Sequence, residues 1–174
     1  TNRTSPKIEW IIQGGSGDFT RLGQTWSAPI KTKIKIGDTT TDVLIFGGGY
    51  DTNQDPLDGQ VNVRRTDGMG NDLFIVNAKT GDLIWSASRA GINMQYSVPS
   101  RATVIGLETN AAGQAILNQE GLATQIFVGD MGGQVWRFKI NNGSTAGNGL
   151  ASGRIFASVA GNNEASARRF YTEP

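Results

Sequence analysis

An aromatic-x-x-Pro block recurs at near-constant spacing, and this confines the chain to a repeat architecture. Trp26-Ser-Ala-Pro29 returns as Tyr96-Ser-Val-Pro99 after 70 residues, and as Tyr171-Thr-Glu-Pro174 after a further 75. The apolar runs between the blocks recur as well. Ile45-Phe46, followed by glycine, matches Ile126-Phe127 before Gly129, and Leu73–Val76 matches Val135–Phe138. Glu9-Trp10, Ile84-Trp85 and Ile155-Phe156 match as aromatic-ended closing strands. Each unit therefore holds four short strands over about 70 residues. Four-stranded repeats divided by glycine turns are the mark of a β-propeller.

The runs themselves read as strands. Lys31–Ile36 alternates polar and apolar residues, and Val43–Phe46 is a short apolar run stopped by Gly47-Gly48-Gly49. Leu83–Trp85, Val104-Ile105, Gln125–Val128, Gln134–Phe138 and Arg154–Phe156 repeat the pattern. The 24 glycines in 174 residues are about twice the usual share of roughly 7% and fit many turns. Asn110–Glu120 has only Ile116 and Leu117 as large apolar residues and reads as a loop with one helical turn.

The fold class expected is all-β, part of a β-propeller. A full blade is expected over 22–88 and a second over 94–160, with 1–12 closing a preceding blade and 168–174 starting the next. A propeller needs at least about four blades to close. Thr1 in place of Met and the two part-blades read as a piece of a longer chain, whose remainder is the first partner expected. On that reading the open blade faces carry Trp85, Trp136 and Phe156.

Composition excludes several chemistries. With neither His nor Cys there is no imidazole base, thiol nucleophile, disulfide or soft metal site. A net charge of +1 argues against a nucleic-acid binder, and no apolar run approaches the roughly 18 residues of a membrane span.

Three motifs remain. In Leu73–Trp85 a strand ends, Asn77 to Gly81 turn the chain, and Trp85 sits where a ring can wedge between blades; this resembles the repeat of quinoprotein-type propellers. In Gln125–Phe138 two strands flank Asp130-Met-Gly132-Gly133, a glycine-supplied hairpin turn that Asp130 caps. A strand follows it, so it is no phosphate loop. In Gly47–Gly59, Asp51, Asn53 and Asp55 alternate as oxygen ligands for calcium would, with Asp58 nearby. A solvated Asx-turn loop is the other reading, favoured by Pro56 where such a loop has glycine and by Asn62 at the twelfth position. Arg64, Arg65 and Asp67 read as a solvated surface insertion.

Gly23–Pro29, Ile45–Asp51 with the Asn71–Trp85 hairpin, and Val128–Phe138 together resemble the C-terminal domain of PilY-type adhesins, the type IV pilus tip-associated proteins. Arg168–Tyr171 fits as well, and the likeness runs over nearly all of 7–174. It implies a modified propeller at a pilus tip, extracellular or on the cell surface, outer-membrane-associated or periplasmic in transit. The implied roles are pilus assembly, retraction control and attachment. The implied partners are minor pilins or other tip components and a surface or host receptor. The family's aspartate-rich calcium loop would precede Val128. Here Leu107–Gly113 offers only Glu108 and Asn110, so Asp51, Asn53, Asp55 and Asp58 are the better calcium candidates.

The expected function is therefore a non-enzymatic adhesive and assembly module. A periplasmic propeller scaffold is the first alternative. A quinone-dependent dehydrogenase is the second, since those enzymes share the blade motif but need carboxylates clustered at one end of a closed ring.

Overall fold

The computed structural model describes residues 5, 7–57, 59–61, 63–145 and 147–174. Ten strands form among the described residues: β1 (Ile30–Ile36), β2 (Thr39–Gly47), β3 (Leu73–Asn77), β4 (Leu83–Ser86), β5 (Thr103–Ile105), β6 (Leu107–Thr109), β7 (Ala115–Leu117), β8 (Gln125–Gly129), β9 (Gln134–Ile140) and β10 (Ala151–Ser158). Among the described residues helix is confined to three single 3-10 turns. Sheet 1 has the order β1-β2-β3-β4 and sheet 2 the order β5-β8-β9-β10, each an antiparallel meander.

The stretch expected as a loop with a helical turn is instead a strand hairpin, β6 paired with β7. Its turn is closed by Asn110, whose Oδ1 accepts from the Ala112 and Gln114 amides, so the backbone donors go to an Asx turn rather than a helix. The closing strand expected at Glu9-Trp10 is also absent; the segment is irregular, and the Trp10 indole donates to the Ala78 carbonyl at 3.4 Å. No strand forms over 168–174. There the Phe170 amide donates to the Asp130 carbonyl, fastening the segment to sheet 2.

The strand pairings define the faces. In sheet 1, Val43, Ile45, Leu73, Ile75 and Trp85 share one face, and Leu44, Phe46, Phe74 and Val76 share the other. In sheet 2, Ile126, Val128, Trp136 and Phe138 share one face, and Gln125, Phe127, Val135 and Arg137 the other. The first face of sheet 1 and the first face of sheet 2 meet in one core, with Trp85 edge-on to Phe138 at 5.9 Å between ring centres. Each large apolar side chain buried there contributes roughly 1.5–3 kcal/mol.

The hydrogen-bond ladder shows how these faces correspond. The Gly48 amide donates to Asp72 and the Ala78 amide to Asp42, so Phe46 and Phe74, an even number of residues away, form a hydrogen-bonded pair. The Asp130 amide donates to Gln134 and the Ile140 amide to Thr124, so Val128 and Trp136 do the same. Residues with the same ladder role in equivalent strands point to the same side of the sheet. Phe46 therefore corresponds to Val128, and Ile45 to Phe127. The two sheets stack in the same sense, front of one on back of the next, rather than face to face across a two-fold.

This corrects two matches made from the sequence. Ile45-Phe46 and Ile126-Phe127 are one residue out of register, which inverts the face each side chain takes. Trp85 corresponds to Arg154 rather than to Phe156, because bulges fall at Ile75/Val76 in one sheet and Ile155/Ala157 in the other. It also overturns the expectation that Trp85 and Trp136 lie on open faces. They are 2% and 6% exposed in the shared core, and only Phe156, at 61%, is open. The back of sheet 1 is not bare either: Leu22, with Ile12 and Phe19, covers Phe46, Phe74 and Val76.

Candidate functional site

The two sheets are joined at one end by polar contacts between a long loop and a short turn. The short turn links β8 to β9. Asp130 is fully buried there: its Oδ1 accepts from the Gly132 amide at 2.9 Å and the Gln134 amide at 2.8 Å, and its Oδ2 from the Trp136 indole at 2.9 Å. Burial pushes its carboxyl up to about 6, with those donors and the nearby Arg64 charge pulling the other way. Gly133 has φ +70°, a left-handed backbone that glycine adopts cheaply. At Gly132 the constraint is space, since a Cβ would sit 2.1 Å from the Tyr96 ring.

The long loop links β2 to β3 and spans 48–72. Arg64 reaches from it to the short turn, donating to the Gly132 carbonyl through Nε at 2.8 Å and Nη2 at 2.6 Å. Its guanidinium lies 5.1 Å from the centre of the Tyr96 ring, a cation–π contact. Asp67 is buried, accepting from the Ser97 amide at 2.6 Å and from Gln54 Nε2 at 2.8 Å. Asp72 is buried at the start of β3, taking the Leu73 and Ser88 amides on Oδ1 and the Ser88 hydroxyl on Oδ2. Burial raises the pKa of both acids. The insertion expected to be solvated thus supplies the latch between the sheets. Its partners at 95–97 and 130–132 are distant in sequence, so polar residues among glycines looked like ordinary surface.

The calcium candidates sit in the same loop. Asp51 Oδ1 accepts from the Asn53 amide at 2.9 Å, and Oδ2 from the Gly68 and Met69 amides at 3.0 and 2.9 Å. Asn53 turns its amide nitrogen to the Thr66 carbonyl at 2.8 Å, and Asp55 accepts from the Tyr50 hydroxyl at 2.5 Å. Each side chain is directed at a different partner of the chain itself, an arrangement that closes the loop. Among the described residues no three acidic side chains converge as metal ligands. Asp58 lies outside the described residues. At the other candidate loop, Glu108 accepts from the Asn118 side chain at 2.9 Å.

The remaining residues singled out in the sequence have separate places. Trp26 is exposed and stacks on Tyr50, with ring centres 4.5 Å apart. Pro29 lines an apolar cleft of about 250 Å³ with Trp10, Ile12, Leu22, Leu44 and Phe46. Gly81, with φ +78°, ends the Asn77 turn, whose Oδ1 accepts from the Lys79 amide. The Trp10 ring packs over Gly81, where a Cβ would sit 2.7 Å from it. Trp85 and Trp136 belong to the core between the sheets.

No protein-family model matches the chain, and no curated protein matches it. Among solved structures it is similar to the crystal structure of the Pseudomonas aeruginosa PilY1 C-terminal domain. Identity is 17%, the match covers 85% of this chain and 40% of that one, and the TM-score is 0.32. At that score the match adds no weight to the fold, which stands on the sheet topology above. This chain spans about two-fifths of that structure's length. No helix among the described residues is long and apolar enough to cross a membrane.

Proposed function

We propose that the chain forms consecutive blades of a β-propeller acting as a non-enzymatic type IV pilus tip-associated module, in pilus assembly, retraction control and surface attachment. The observation that carries the architecture is the same-sense stacking of two four-stranded meanders. Successive blades around a ring stack that way, whereas the halves of a two-fold sandwich do not. The pilus assignment is supported by the glycine–aspartate–tryptophan blocks that resemble PilY-type adhesins, Val128–Phe138 above all. The non-enzymatic reading is supported by the absence of His and Cys from the sequence, and by the commitment of buried Asp67, Asp72 and Asp130 to donors of the chain itself.

On this reading the partners are minor pilins or tip components and a surface or host receptor, and the location is the pilus tip after passage through the periplasm. The test is immunogold labelling of intact cells with an antibody against this chain, together with deletion of its gene. Label at pilus tips, with fewer pili and weaker attachment in the deletion strain, is the expected result. Label confined to the periplasm would favour an assembly scaffold instead. A quinone absorbance band in the purified protein would favour a dehydrogenase.

A further inference from the structure

The other end of the two sheets, away from Arg64, is closed by a different seam. β1 is the end strand of sheet 1, and segments of sheet 2 occupy its outer edge. The Ala123 amide donates to the Lys33 carbonyl, the Gly143 amide to the Lys35 carbonyl and the Gly37 amide to the Ser144 carbonyl, each at 2.9 Å. Asn142 completes the seam with its side chain. Its Oδ1 accepts from the Lys35 amide at 2.7 Å, and its Nδ2 donates to the Ala123 carbonyl at 2.8 Å. One carboxamide thus ties together β1, the approach to β8 and the turn between β9 and β10.

Gly143 follows Asn142, and the same pair recurs in the same turn as Asn148-Gly149; the sequence holds no third. Asparagine before glycine is prone to deamidation, because glycine has no Cβ to hinder its nitrogen from closing on the neighbouring side chain. The glycine nitrogen gives up its proton and bonds to the asparagine Cγ. The side-chain nitrogen takes up a proton and leaves as ammonia, and water opens the succinimide to aspartate or isoaspartate. At Asn142 every group this reaction needs is engaged in the seam: the Gly143 N–H is held by Lys35, and both ends of the carboxamide are held by Lys35 and Ala123. Asn148 is exposed and stands outside the seam.

We propose that Asn142 is a deamidation site that the docking of the two sheets holds shut. While the seam is closed the amide is kept. When the seam opens, Gly143 is released to attack, and the product cannot refasten. A carboxylate at 142 still accepts from the Lys35 amide, but it sets oxygen against the Ala123 carbonyl where Nδ2 donated. Isoaspartate also adds a carbon to the backbone just before Gly143 and displaces its amide from the Lys35 carbonyl. Deamidation therefore turns a reversible opening of the seam into a permanent one. Both sides of the seam are supplied by this chain, so the site is independent of the pilus reading.

The test is peptide mapping by mass spectrometry of the whole chain after incubation in mildly alkaline buffer, folded and in denaturing urea. Amide-to-acid conversion and isoaspartate are scored at both asparagines. In the folded protein Asn148 is expected to react about tenfold or more faster than Asn142, since reaction at Asn142 waits on local opening. In urea the two rates should agree within about threefold. Asn142→Asp should melt about 2–8 °C below the wild type, and Asn148→Asp should melt with it. Equal rates at the two sites in the folded protein overturn the proposal. So does an Asn142 that stays slow in urea, because its protection would then come from local sequence and not from docking. An unchanged melting temperature in Asn142→Asp would mean that the seam does not depend on the amide, and overturns it too.

Discussion

The passage from second to third strand is built in two ways. In sheet 2 it takes four residues, Asp130 to Gly133, and one buried carboxylate satisfies the turn and the Trp136 indole together. In sheet 1 the same passage takes 48–72. Closing the longer loop costs about 2 kcal/mol more in chain entropy. Asp51, Asp67 and Asp72 offset that cost by gathering backbone and side-chain donors along the loop. The short turn is complete in itself; the long loop is complete only when Arg64 reaches the Gly132 carbonyl and Asp67 takes the Ser97 amide. Independence at one junction and reliance at the other is what couples the two sheets at this end.

The comparison can be broken most sharply at the short turn. Asp130→Ala strands two backbone amides and the Trp136 indole in a buried site. At about 1–3 kcal/mol for each unsatisfied group, the loss should be about 4 kcal/mol or more. It would be read by urea unfolding, with tryptophan emission following the local change. Asp67→Ala frees the Ser97 amide and Gln54, and should cost about 2–3 kcal/mol in the same assay. Amide hydrogen exchange should then show the long loop opening while 130–133 stays protected. If both regions lost protection together, the two junctions would not be independent. Arg64→Ala removes two charge-assisted bonds and the Tyr96 contact for about 1–2 kcal/mol. A double-mutant cycle with Tyr96→Leu should give a coupling energy clearly above zero.

The same buried carboxyl also makes stability depend on pH. A carboxyl whose pKa is higher folded than unfolded binds its proton more tightly in the folded state. Its stabilising contribution is therefore full below the unfolded value near 4 and falls as pH rises through the folded value. For Asp130 that fall lies between about pH 4 and about 6. The stability difference between wild type and Asp130→Asn should accordingly shrink over that interval in urea titrations. A difference that grows with pH would contradict the raised pKa.

The all-β class was legible because apolar runs too short for helices were cut by glycine, and this alone places most of the strands. Register was not. Val43–Phe46 and Ile126–Val128 are apolar on both faces, so alternation could not say which residue points inward, and the sequence match settled one residue out. Asp130 stood out as a turn-capping acid, but its third partner, the Trp136 indole, lies across the hairpin and left no local trace. Arg64 and Asp67 were invisible as a latch because their partners come from a different sheet and its approach.

The claim beneath all of this is that sheet 1 packs its Trp85 face on the Phe138 face of sheet 2. Two-dimensional NMR on protein with labelled aromatic rings tests it directly. Trp85 should show cross-relaxation to the Phe138 ring, 5.9 Å away centre to centre, and none to Phe127 on the opposite side of sheet 2. Cross-peaks from Trp85 to Phe127, with none to Phe138, would mean that the sheets meet face to face, and the same-sense stacking would be wrong.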